Sequence, residues 1–222
     1  MSTVAAQAVQ HRKKLWLIIL GGLMLSLGVI SLPFGRWDDS LASVGHMAGN
    51  ELVYWGLVAA VLFYVLRVER RPLSSIGLKT PGIVDLLLAC ATGALIVAML
   101  AVIYLVVFPA LHWDETNQLQ TLTAVPFWLR LMQVIRAAVS EEILFRGYAL
   151  ERIEQLSGSR LFSGVSTWAI FTLEHLSYWG WHHLLIAGLA GALLTLLYLW
   201  RRNLWANMLA HFIVDGVGFL LG

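Results

Sequence analysis

The chain of 222 residues is 59% hydrophobic and only 13% charged, with a mean hydropathy of +0.76. A soluble domain of this length carries about 25% charged residues. The shortfall, with several apolar stretches near the length of a bilayer span, excludes an ordinary water-soluble globule and predicts a polytopic membrane protein. The formal net charge of +2 says little about partners, and no nucleic-acid partner is expected. The single cysteine, Cys90, rules out an internal disulfide and reads as a small apolar core residue.

Seven apolar helices are predicted, at about 15–32, 50–67, 83–109, 127–153, 161–177, 183–200 and 204–221. The fold class is therefore all-α, a transmembrane bundle of about seven helices in one integral domain. His11-Arg12-Lys13-Lys14 precedes the segment Leu15 to Leu32. That segment is longer than a signal core of roughly 7–15 residues and no small-x-small site closes it, so it reads as a retained first helix. Pro126 suits the first turn of the fourth helix, where its missing N–H costs nothing. The turn Ser157-Gly158-Ser159-Arg160 makes helices four and five an antiparallel hairpin. The cluster Ala187-Gly188-Leu189-Ala190-Gly191 in helix six predicts close helix contact with no part in chemistry.

Basic residues assign the orientation. Arg12, Lys13, Lys14, Arg67, Arg70, Arg71, Lys79, Arg152, Arg160, Arg201 and Arg202 all fall on one side of a seven-span chain. The opposite loops hold Arg36 with Asp38 and Asp39, then Asp114 and Glu115. The basic side is expected to be cytoplasmic, with the N-terminus inside and the C-terminus outside. Trp16, Trp200 and Trp205 mark the inner boundary, and Trp37, Trp113, Trp128, Trp179 and Trp181 the outer one.

Within this apolar frame, Ser140-Glu141-Glu142-Ile143-Leu144-Phe145-Arg146 places two carboxylates and a guanidinium inside helix four. Ionisable groups at bilayer depth cost roughly 2.5–3.5 kcal/mol each on insertion scales, which makes them candidates for function. At the helical rise, Glu141 and Glu142 lie about 18 Å from the basic end of helix four and His175 about 21 Å along helix five. His211 and Asp215 lie about 10 and 16 Å along helix seven from the same side. Three helices thus bring ionisable groups to overlapping depths. Glu142 and Arg146, four apart, are expected to pair. Glu141, about 100° around the helix, is then free to face a cavity as a general base. The alternative is that both carboxylates only offset Arg136 and Arg146 in a packed bundle. Single histidines also have a bland reading as hydrogen-bonded packing residues, and the pair His211 and Asp215 as a structural hydrogen bond. Glu174 stands second to its neighbour His175, and His182 and His183 read as interfacial.

The motifs Glu141-Glu142-x-x-x-Arg146, Phe171-x-x-x-His175 and His211-x-x-x-Asp215 resemble, in order and spacing, those of the CPBP intramembrane proteases. That family includes the CAAX-processing endopeptidases and bacterial Abi-type proteins. The resemblance spans about residues 70–221, supported by Ser75-Ile76-Gly77-Leu78-Lys79 and by Arg201-Arg202-Asn203-Leu204-Trp205-Ala206. It divides the chain into residues 1–70, a cytoplasmic tail with two transmembrane helices, and residues 71–222, a protease core. It implies a metal-independent glutamic endopeptidase without a cofactor, in which Glu141, assisted by His175, activates water. His211 would stabilise the oxyanion. Asp215, which stands where some members carry Asn, would orient His211; Glu142, Arg146 and Phe171 would support the site.

The expected substrate is the C-terminal region of a membrane-associated or lipid-modified polypeptide, reached from the lipid bilayer and cleaved near the cytoplasmic half. The expected location is a prokaryotic inner or plasma membrane. One alternative is a zinc protease using Glu141, His175 and His211 as ligands. Another is a non-catalytic membrane scaffold or immunity protein.

Overall fold

The computed structural model describes residues 3–28, 44–113 and 124–221. These form seven helices and, among the described residues, no strand: α1 (3–28), α2 (44–68), α3 (Ile83–Leu111), α4 (127–157), α5 (160–179), α6 (His183–Arg201) and α7 (Leu204–Leu220). The fold is the expected all-α bundle. Helix α1 begins well before the predicted start, so the basic run 11–14 is itself helical. The predicted loop residues Arg36, Trp37, Asp38, Asp39, Asp114 and Glu115, and the predicted end of the first helix, lie outside the described residues.

Among the described residues, three helical stretches are long and apolar enough to cross a membrane unaided: Gly49–Val68, Ile83–Leu111 and His183–Arg201. Helix α7 is apolar but shorter, whereas α4 carries charges that need partners within the bundle. Helix α7 packs against α3 and α4, α6 packs against α5 and α3, and α2 packs against α4. Leu144, Phe145 and Tyr148 of α4 enter one core with Val61 and Val65 of α2, Ile76, and Leu204 of α7. The outer surfaces remain apolar, as lipid contact requires: Leu87, Leu105, Leu161 and Leu196 are all exposed. Cys90 belongs to that outer surface, not to the core position expected from burial statistics. Ala89 beside it takes the inward position.

Helix α4 departs from regular α geometry where its chemistry is concentrated. Residues Glu142–Leu150 form a π-helical stretch, and every one of them is buried. Such wide turns are rare and occur frequently at functional sites. Gly147 lies in this stretch, where an added Cβ would stand 2.7 Å from Leu204 Cδ1 and 2.9 Å from the Ile76 carbonyl oxygen. Only glycine lets the widened helix press so closely against the 73–76 turn and the start of α7.

The basic end is held by ion pairs. Arg152, read from sequence as a marker of the cytoplasmic side, is buried; its Nε lies 2.9 Å from Glu69 Oε1, and its Nη1 donates to the Ser75 carbonyl at 3.3 Å. Tyr148 adds a hydroxyl donor to the same carboxylate at 2.8 Å. Arg201 Nε meets Asp85 Oδ1 at 2.7 Å, and Arg202 bridges Glu151 and Glu154. Residues that mark topology in the sequence therefore also pin α2, α3, α4 and α6 together.

Removing one member of a buried ion pair strands the other charge, at a cost of about 3–5 kcal/mol. Arg152→Met is expected to lower the thermal unfolding midpoint in detergent clearly. Arg152→Met combined with Glu69→Gln should recover much of the loss.

Candidate active site

The site is organised by Glu142, whose side chain has no solvent exposure. Its Oε1 accepts from Arg146 Nη1 at 3.0 Å and lies 2.9 Å from His211 Nδ1; its Oε2 accepts from Asn207 Nδ2 at 3.1 Å. A buried carboxylate is tolerated when paired and hydrogen-bonded in this way. Arg146 is held in turn. Its Nη2 donates to the Gly191 carbonyl at 3.2 Å, and its guanidinium lies over the Phe171 ring at 4.0 Å. A Cβ on residue 191 would stand 2.8 Å from Phe171 and 3.4 Å from Arg146 Nη2. The small-residue cluster, expected to serve packing alone, thus also brings a backbone acceptor to Arg146.

Glu141, one residue earlier, lies at the last α-helical position before the π-helical stretch of α4 and retains 17% side-chain exposure. Its Oε2 is 3.9 Å from His211 Nε2, and its Oε1 is 3.8 Å from Arg136 Nη1. Asp215 Oδ2 stands 3.4 Å from the same His211 Nε2, also with partial exposure. His211 is therefore gripped on Nδ1 by Glu142, while its Nε2 faces Glu141 and Asp215. Because a carboxylate only accepts, Nδ1–H donates to Glu142, and the ring plane is set by that bond. Of the two carboxylates beside His211, Glu142 makes the shorter contact and Asp215 the longer.

His175 terminates the regular part of α5, with a turn at that residue before 176–179 resumes the helix. Its Nδ1 lies 2.8 Å from the Phe171 carbonyl oxygen. A carbonyl can only accept, so in the neutral ring the proton sits on Nδ1 and Nε2 keeps its lone pair. His175 lies within electrostatic reach of Glu141, His211 and His183. Its ring stacks on His183 at 5.8 Å, and His183 stacks on Trp179 at 4.4 Å. His183, expected to be interfacial, is buried. His182 is packed among Trp113 and Trp181 instead.

The structure thus brings Glu142, Arg146, His211 and Asp215 into direct contact, sets Glu141 3.9 Å from His211 Nε2, and places His175, through Phe171, beside them. Sequence reasoning missed Asn207, although Asn207, His211 and Asp215 repeat every fourth residue along one face of α7. It also missed Glu51 and Tyr54 of α2. Arg136 Nε lies 3.3 Å from Glu51 Oε1, and its guanidinium lies over the Tyr54 ring at 4.3 Å. Nothing in the local sequence around Glu51 signals this contact.

Zinc would require at least three imidazole, thiolate or carboxylate ligands converging on one point. Among the described residues, no group of three or more His, Cys, Asp or Glu side chains has that arrangement.

Comparison with known proteins agrees with the motif pattern. Residues 121–217 match the family model described as type II CAAX prenyl endopeptidase Rce1-like. No curated protein and no solved structure matches the chain. The matched segment contains α4 to α6 and nearly all of α7, and so every residue of the Glu142 network. Over residues 121–217, rather less than half of the chain, the protein thus matches an Rce1-like CAAX prenyl endopeptidase domain, in agreement with the CPBP/CAAX protease resemblance of its motifs.

Proposed function

We propose that this protein is a glutamic intramembrane endopeptidase in which Glu141 and His175 activate the attacking water. The observation that carries this reading is the inequality of two adjacent carboxylates. Glu142 has both oxygens engaged by Arg146, His211 and Asn207. Glu141 is partly exposed and lies at 3.8–3.9 Å from Arg136 and His211, beyond hydrogen-bond length. A carboxylate left with room at its oxygens can take a water molecule and then its proton.

In this scheme the lone pair of His175 Nε2 offers a second acceptor for the water. Hydroxide attack on the scissile carbonyl places negative charge on its oxygen. His211 Nε2, when that nitrogen carries a proton, donates to this oxyanion, while Glu142 holds the ring from the opposite side. Asp215 supports the doubly protonated ring. Glu142, Arg146, Asn207 and Phe171 act as the scaffold that fixes these groups before substrate arrives. The partner is a membrane-associated or lipid-modified polypeptide cut near its C-terminus, which enters from the bilayer between helices. No metal or other cofactor takes part in this reading.

Two substitutions separate the adjacent carboxylates. Glu141→Gln is expected to reduce turnover of a lipidated C-terminal peptide by roughly 10²–10⁴-fold, with an unfolding midpoint close to that of the parent. Glu142→Ala strands Arg146, and should lower stability by about 3–5 kcal/mol as well as activity. Turnover by Glu141→Gln at the parent rate would overturn the hydrolytic role and favour a binding protein.

Metal dependence is tested by chelation followed by zinc re-addition. Full activity after exhaustive chelation is expected; chelator-sensitive cleavage restored by zinc would reject the metal-free scheme.

A further inference from the structure

The Rce1-like match begins at residue 121, yet a residue far outside it holds the arginine that approaches the candidate base. Glu51 on α2 is 3% exposed and contacts Arg136 Nε at 3.3 Å through Oε1, while its Oε2 is buried with no hydrogen-bond partner. Arg136 lies over the Tyr54 ring at 4.3 Å and extends its Nη1 to 3.8 Å from Glu141 Oε1. Tyr54 is itself within electrostatic reach of Arg136, Glu141, Glu51 and Glu174.

This arrangement differs from an ion pair that only glues two helices. A closed pair would use the guanidinium fork against both oxygens of one carboxylate. Here the fork is divided, with Nε toward Glu51 and Nη1 toward Glu141, and one Glu51 oxygen goes unserved. Arg136 and Glu141 are five residues apart on α4, a spacing that does not share a face of a regular α-helix. The guanidinium arrives beside Glu141 because α2 supplies both a carboxylate and an aromatic face that hold it there.

We infer that Glu51 and Tyr54 of α2, acting through Arg136, position the Glu141 carboxylate for catalysis. The inference rests on the reading of Glu141 as the base. Arg136 fixes which Glu141 oxygen faces inward, and Glu51 prevents Arg136 from collapsing fully onto Glu141 and occupying the oxygen that water needs. Helix α2 is thus part of the working site, and Glu51, Tyr54 and Arg136 are positioning residues.

The test compares Glu51→Gln and the double variant Glu51→Gln with Arg136→Met against the parent, using the full chain in lipid vesicles. The double variant removes both charges, so neither is stranded. The probe is an internally quenched peptide with a farnesylated cysteine three residues before its C-terminus. Each variant is expected to lose about tenfold or more in kcat with KM changed by no more than about twofold. The unfolding midpoint of the double variant should match the parent's, whereas Glu51→Gln, which leaves Arg136 without its partner on α2, should lower it. A second readout needs no substrate: a carboxyl-selective reagent, followed by mass spectrometry, should modify Glu141 faster in the double variant, with the rate at Glu151 unchanged.

Parent-like kcat and parent-like Glu141 labelling, or a loss of activity in the double variant that follows a loss of its stability, would overturn the positioning role. Glu141→Gln run alongside separates the two readings. If it cleaves like the parent, or if the parent leaves the probe intact, the protease reading itself fails and the inference falls with it. If Glu141→Gln is inactive while both α2-directed variants turn over normally, the positioning inference alone is lost.

Discussion

A carboxylate with no solvent exposure, Glu142, is the constraint around which this membrane protein is arranged. Charge in an apolar bundle is sustained only if its hydrogen-bonding capacity is filled. Filling it draws Arg146 from the next turn of α4, Asn207 and His211 from α7 and, through Arg146, the backbone of Gly191 in α6 and the ring of Phe171 in α5. Four helices are thus specified relative to one another by one buried group. Apolar helices in lipid gain little from burying hydrocarbon against each other, so polar contacts of this kind carry much of the orientation.

The same network divides labour between neighbouring side chains. By absorbing the donors around it, Glu142 leaves Glu141 at the edge of the cluster, partly exposed and facing His211 Nε2. The change from α to π geometry begins between these two residues. The wide turn alters the angular relation between Glu141 and the side chains of the next two turns, and Gly147 allows the enlarged helix to fit against the 73–76 turn. A second polar cluster, built from Glu51, Tyr54 and Arg136, borders the other side of Glu141. The candidate base therefore sits between an inner network in which both Glu142 oxygens are engaged and an outer one in which one Glu51 oxygen is not.

The pairing of Glu142 with Arg146 was legible because four residues along a helix bring side chains to one face, whatever the surroundings. The back-bond within Phe171-x-x-x-His175 obeys the same local rule, as His175 Nδ1 reaches the carbonyl four residues earlier. His183 reads as interfacial from the sequence because it stands next to a loop, and the structure adds that its ring is buried. Its stacking between Trp179 and His175 depends on how α5 ends. Arg152 shows the limit differently: charge bias correctly marks the basic end, but the burial of its guanidinium against Glu69 depends on a contact 83 positions away in the chain.

Composition and motif spacing alone determined a helical membrane protein, the number of its helices, and the set of ionisable groups at comparable depths, because hydropathy and helical rise are local properties. Tertiary structure decided which carboxylate is occupied and which is open, that Asn207 completes the Glu142 shell, and that α2 reaches the site through Glu51. These depend on rotation and contact between helices distant in sequence. One-dimensional periodicity specifies the face a residue occupies on its own helix, but not which neighbouring helix that face meets.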